Sequence, residues 1–191
     1  MSYAETPVRP VGGRLVLDFL NTADWSAEGD VIHEKLTTGD DVRSWTDALG
    51  ITQSVVDGRS HDLMALRNMR TELRRLIQAA IEDHAPDAQT INQLNLLLAS
   101  TSNASLMVKL TNRPWLAFES TLLDLILASA KSVLADPREI SRVNMCSGPD
   151  CGWLFLDESR NQQRRWCMMQ TCGNRAKARR HYANRASQNE I

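Results

Sequence analysis

The four cysteines are the densest group of reactive side chains in this chain of 191 residues. They stand at Cys146, Cys151, Cys167 and Cys172, two pairs with four residues inside each and fifteen between them. Thiolates are soft donors, and two such pairs can meet around one tetrahedral Zn2+. Gly148 and Pro149 lie inside the first pair and let it close as a tight knuckle. Two alternatives stand beside zinc: a pair of disulfides, or four unrelated buried thiols. The first residues carry no charged-then-apolar leader. The expected compartment is therefore reducing and cytoplasmic, where disulfides rarely persist.

Around and after the last pair the sequence turns basic. Arg164 and Arg165 precede Cys167, and Arg175, Lys177, Arg179, Arg180 and Arg185 follow Cys172. The net charge of −1 hides a split: residues 1–141 hold 13 basic and 19 acidic side chains, residues 142–191 hold 9 and 4. Four thiolates on one zinc would subtract two more charges and leave the C-terminal part cationic. Such a surface suits an anionic polymer approaching one end of the molecule. The expected contacts are Arg164, Arg165, Arg175, Lys177, Arg179 and Arg180, and the expected partner is DNA, with a homodimer supplying affinity. Two other functions fit the same residues. One is a zinc-stabilised module that docks an acidic protein. The other is a redox switch built on zinc thiolates.

The run Cys172-Gly173-Asn174-Arg175, after Arg164-Arg165-Trp166-Cys167 and the Cys146/Cys151 pair, resembles the CGNR-type zinc finger. Leu15-Val-Leu-Asp-Phe-Leu-Asn-Thr22 is similar to the opening of the helical domain that precedes that finger in its family. The resemblance implies a mainly α fold with a small β component. It also implies a stress-related transcription regulator with a treble-clef-like finger.

Other chemistry is sparse. His33, His61, His84 and His181 are scattered, and no phosphate loop or nucleophile elbow is present, so no enzyme is expected. Asp18 is a lone carboxylate inside an apolar run. It suggests either a carboxylate satisfied by backbone amides or an arginine, or the wall of a small-ligand pocket. Arg67, Arg70, Arg74 and Arg75 share one helical stretch and read as a solvated face.

The elements that must position these groups read as follows. Residues 1–13 form an arm, 14–137 a mainly helical domain and 138–191 the finger with its basic helix. Leu15–Thr22 is expected as a short helix and residues 23–39 as loop. A helix from Asp40 to Leu49 is capped by Asp and stopped by Gly50. Another runs from a Ser60 cap to about Asp83, with Leu63, Leu66, Met69, Leu73, Leu76, Ile77 and Ala80 inward. A third starts at Pro86-Asp87, with Ile91, Leu94, Leu97 and Leu98 inward, and residues 106–110 are strand-like. The apolar stretch from Pro114 to Leu134 is the central helix. Glu119, Asp124 and Lys131 interrupt it, so it cannot span a membrane. In the finger, Trp153–Leu156 should pair with Arg164–Trp166. Cys172 should sit just before the last helix, capped by Gly173 or Asn174. Loss of Cys172 should loosen the finger and spare the helical domain.

Overall fold

The computed structural model describes residues 9–26, 29–51, 62–100, 121–148 and 151–188. The chain is mainly helical, with two small antiparallel sheets. At its centre is α1, Leu15–Leu20, in which Val16, Leu17, Phe19 and Leu20 are all fully buried. A helix buried on every side has no apolar stripe, which is why periodicity cannot identify it.

The segment expected as loop contains a hairpin instead. β1, Ala23–Trp25, pairs with β2, Val31–Glu34, and the register slips between Asp24 and Trp25. The alternation that marks a strand is missing, because Val31 and Ile32 point outward while Trp25 is buried. α2, Gly39–Ala48, begins one residue earlier than Asp40 and is capped by Thr38 in a capping box with Asp41. Gly50, at φ +69°, ends it as expected. Val42 and Trp45 face the core, but Ala48 is exposed and Thr46 is buried in its place.

α3, Leu63–Ile81, is capped by Asp62, whose side chain accepts from the amides of Met64 and Ala65. Ser60 lies outside the described residues. Leu66, Met69, Leu73 and Ile77 form the inward stripe, and Ala79 rather than Ala80 joins it. Two of the four arginines on this helix are not solvated: Arg70 and Arg74 are each 1% exposed. Only Arg75 is open to solvent, paired with Glu72, while Arg67 reaches the carbonyl of Leu36.

α4 spans Ala88–Ser100. The strand expected at 106–110 and the helix start at Pro114 lie outside the described residues, as do the side chains of Leu94, Leu97 and Leu98. α5, Leu122–Ala135, opens on a Thr121/Asp124 capping box and packs on α1 and α3. Asp136 ends it and caps a further turn, α6, Pro137–Ile140.

β3, Val143–Met145, pairs antiparallel with β4, Leu154–Leu156. The partner of β4 is therefore the segment before the first cysteine, and Arg164–Trp166 is not a strand. The amide of Cys146 donates to the carbonyl of Trp153, so the ladder runs directly into the first knuckle. Val143, Leu154 and Leu156 belong to the same buried cluster as α1, α3 and α5. The side chain of Asn21 joins the two parts: its Nδ2 donates to Leu154 O at 2.8 Å and its Oδ1 accepts from Leu154 N at 2.9 Å. The chain ends in a π-helical turn, Met169–Gly173, that runs into α7, Asn174–Gln188.

Candidate metal centre and its basic helix

The four cysteine sulfurs converge, all within 4.8 Å of one another. Cys151 Sγ is 3.6 Å from Cys167 Sγ, which is 3.7 Å from Cys172 Sγ. Four sulfurs at ~2.3 Å from a tetrahedral zinc stand about 3.8 Å apart, so the set has the dimensions of such a site. A disulfide needs about 2.05 Å, and the shortest of these approaches joins the two knuckles rather than the members of one. Cys146, Cys167 and Cys172 are buried and Cys151 is half-buried.

The local backbone explains the closure. Cys146 Sγ accepts from Gly148 N at 3.3 Å and from Cys167 N at 3.2 Å. A Cβ at Gly148 would lie 2.8 Å from the Cys172 Cβ, so only glycine lets the knuckles approach. Hydrogen bonds from the Cys151 and Cys167 thiols, helped by those two amides, push the Cys146 thiol far down. The neighbouring Cys146 sulfur pushes Cys151 up, and Cys146 and Cys151 together push Cys167 up. Phe155, Trp153, Trp166, Met168 and Val11 pack around the cluster, so Trp153 and Trp166 cover the site as expected.

The fold draws Arg164 inward. Its guanidinium donates to the carbonyls of Val11, Leu156, Trp166 and Cys167 and stacks 4.2 Å from the Phe155 ring centroid. Its amide donates to Asp157, a fully buried carboxylate. Arg164 therefore braces the loop between β4 and Cys167, a correction to its expected contact with phosphate. Arg165 stays exposed, 5.4 Å from the Trp166 ring centroid, beside an open groove of about 380 Å3 along residues 163–170.

Cys172 lies inside the π turn rather than ahead of a helix. The turn starts at Met168 with no side-chain cap, and Asn174 Nδ2 donates back to Gln170 O. The capping role expected of Gly173 or Asn174 is thus corrected. Gly173 instead packs so closely on Met169 that a Cβ would sit 2.4 Å from its Sδ. α7 continues outward with Arg175, Lys177, Arg179, Arg180 and Arg185 and no acidic residue. Residues 177–185 are exposed around the whole circumference.

Residues 142–185 match the CGNR zinc finger, and residues 13–137 match the domain described as a putative stress-induced transcription regulator. The chain belongs to that family of regulators. Comparison with curated proteins finds no match.

In this regulator the family signature has a physical reading. Cys172 is one of the four sulfurs that could hold a metal ion, Gly173 allows close packing, Asn174 ties the turn and Arg175 opens the exposed helix. Asp18 is not part of that sulfur cluster. Its Oδ1 accepts from Gly12 N at 2.8 Å, and Val11 N donates to it as well. Burial raises its pKa to about 6, against those amides and the charge of Arg164. Beside it is only a shallow, open cleft of about 340 Å3, lined by Pro10, Arg14, Leu15, Leu49 and Ile51 among others. Asp18 fastens the arm, whose Gly12 O accepts from Leu156 N, and its carboxylate is spent on backbone. Sequence reasoning assigned no role to the side chain of Asn21, and the solvated face expected of Arg70 and Arg74 is corrected by their burial. Their spacing carried the signal: Arg70 is four residues after Leu66, and Arg74 is eight after Leu66 and three before Ile77, so both border the inward stripe. Among the described residues, no helix is long and apolar enough to cross a membrane.

Proposed function

We propose that the regulator binds nucleic acid, as duplex DNA, through α7 and the adjoining finger, with zinc holding the helix in place. The observation that supports this best is the state of α7. It carries five basic residues and no acidic one, and its exposed stretch has no face packed on the protein. Such a helix gains little from the fold and is poorly stable alone, because its like charges repel. It is attached at Cys172, so the metal centre sets its position and direction. A polyanion adds counter-charge along this exposed basic surface.

The contacts offered are Arg165, Arg175, Lys177, Arg179 and Arg180, with Arg185 one further turn out. The ion is zinc, on the strength of the all-sulfur donor set and its spacing. The role is one of binding rather than catalysis, in a reducing, cytoplasmic setting that suits thiolate ligands. The test is retention of zinc-loaded protein on duplex DNA across a salt series. With about four phosphates neutralised, log affinity should fall with log salt at a slope of roughly −3 to −4. Replacing Lys177 and Arg180 together with alanine should weaken binding and flatten that slope by about 1–2 while zinc content stays constant. No retention at low salt by zinc-loaded protein would overturn the reading and favour docking to an acidic protein.

A further inference from the structure

Arg74 sits in the core of α3 without the partners that a buried charge requires. It is 1% exposed, and its Nε and Nη1 have no hydrogen-bond partner. Arg70, one turn earlier, is equally buried and its Nε also lacks a hydrogen-bond partner, but its charge is paired: it donates to Glu34 and to Thr22. Both guanidiniums lie on the Trp25 ring, with Arg74 at 5.1 Å from its centroid and Arg70 at 5.7 Å. A ring face attracts a cation but does not replace hydrogen bonds or a counter-ion.

The segment that carries a cysteine of the metal centre meets the same tryptophan. Gly152 follows the ligand Cys151 and has φ +59°, and a Cβ there would stand 2.7 Å from Trp25 O. Trp153 Nε1 donates to Ala23 O at 3.1 Å and to Asp24 Oδ1 at 3.0 Å, fixing the same segment on β1. Cys151 is thus tied through Gly152 to the residue on whose ring Arg74 lies. Burial lowers the Arg74 pKa to about 10, so it remains charged at neutral pH, and Cys151 is the larger of the two negative groups that pull it back up. The other is Glu82, at the exposed end of α3.

We propose that Arg74 is the counter-charge of the metal centre: the unpaired guanidinium on α3 balances the doubly negative zinc tetrathiolate through Cys151. This rests on the zinc reading given above. The consequence is reciprocal coupling. With the thiolates charged by zinc, Arg74 is compensated and α3 is stabilised. Without zinc and its negative tetrathiolate, Arg74 keeps only the smaller pull of Glu82 at the end of α3. In the other direction, the guanidinium withdraws charge from Cys151, which tightens metal binding and makes that sulfur a poorer nucleophile. Arg74 is a positioning and charge-balancing residue, not a ligand.

The experiment uses the full chain, with zinc content checked by elemental analysis, and compares wild type with R74M, R74Q and R74K. Zinc affinity is read by competition with a chromophoric chelator. Zinc release is timed after addition of N-ethylmaleimide. R74M and R74Q should lose about 10–100-fold in affinity and release zinc several-fold faster, whereas R74K should keep most of both. The melting temperatures should cross. Zinc-loaded R74M should melt below zinc-loaded wild type, and zinc-free R74M should melt at or above zinc-free wild type, because a buried charge has been replaced by an apolar chain. A packing role would lower both by the same amount, and that result would overturn the inference. So would equal zinc affinity in all four proteins. If R74M does not fold, R74Q against R74K still decides between charge and packing. Hydrogen exchange of the α3 amides in wild type adds a test without any substitution: protection near Arg74 should fall when zinc is removed, and unchanged protection counts against the coupling. Wild type without zinc would remove the zinc reading itself. Zinc held equally by every variant would remove only the role of Arg74.

Discussion

The side-chain amide of Asn21 stands in for a stretch of backbone. It meets both hydrogen-bonding groups of Leu154, as a neighbouring strand would, and it is fully buried. N21A should leave two buried backbone groups unsatisfied and cost about 2–5 kcal/mol, measured by urea unfolding. A cost below about 1 kcal/mol would show that water can replace the amide. Asp18 makes a second prediction at this scale. Its pKa rises from 3.8 to about 6 in the fold. A raised carboxyl pKa means that the folded form takes up the proton first. The stability tied to it is therefore fully present below about pH 4, is lost as pH rises to about 6, and stays lost above. Between pH 7 and pH 5, wild type should gain about 1 kcal/mol of stability relative to D18N, rising to at most about 3 kcal/mol below about pH 4 for a two-unit shift. Parallel pH profiles for the two proteins would refute this. The cysteines were legible because their chemistry depends on type and spacing. Asn21 and Arg164 were not, because their partners lie more than a hundred residues away or depend on a loop turning inward.

At the scale of elements, legibility followed the strength of the local signal. α2, α3 and α5 have caps, stripes or both; α2 and α3 appear close to where the pattern puts them, whereas α5 starts at Leu122, after a Thr121 cap, and not at Pro114. The hairpin β1–β2 was missed because its outward face carries Val31 and Ile32 while its inward contact depends on one tryptophan. The partner of β4 was misassigned because β3 is only three residues long and precedes the knuckle, whereas turn rules favour the segment that follows. Gly152 ties these pieces together, since its left-handed φ and its contact with Trp25 both exclude a side chain. G152A should cost about 2–5 kcal/mol, combining left-handed strain with overpacking. Tryptophan fluorescence should shift as Trp25 and Trp153 lose their contact. A variant with native stability would mean that the segment can move off β1 without loss.

For the whole molecule, the finger and the helical domain share one interior. Leu154 and Leu156 of β4 and Val143 of β3 pack in the same cluster as Phe19, Leu73 and Ile126. The arm adds a strap: Gly12 O accepts from Leu156 N, Asp18 holds Gly12, and Arg164 reaches back to Val11 O. Arg14 reaches across the 137/138 boundary to pair with Glu139 and Glu158, both on its far side. A division that looks clean in sequence therefore does not separate two cores. This changes what metal loss should do. Cys172→Ser removes one of four ligands, and metal binding in such a site is also folding energy. The expectation of an unaffected helical domain assumed independent units. With a shared interior, loosening of β4 uncovers α1, and α1 packs on both α3 and α5. C172S, or wild type treated with a strong chelator, should therefore melt in one transition at a lower temperature. For a loss of several kcal/mol in a chain of this size the drop is roughly 10–20 °C. Near-ultraviolet and far-ultraviolet dichroism should report the same midpoint. Two resolved transitions, with the helical one unmoved by zinc removal, would show instead that the helical domain stands without the finger.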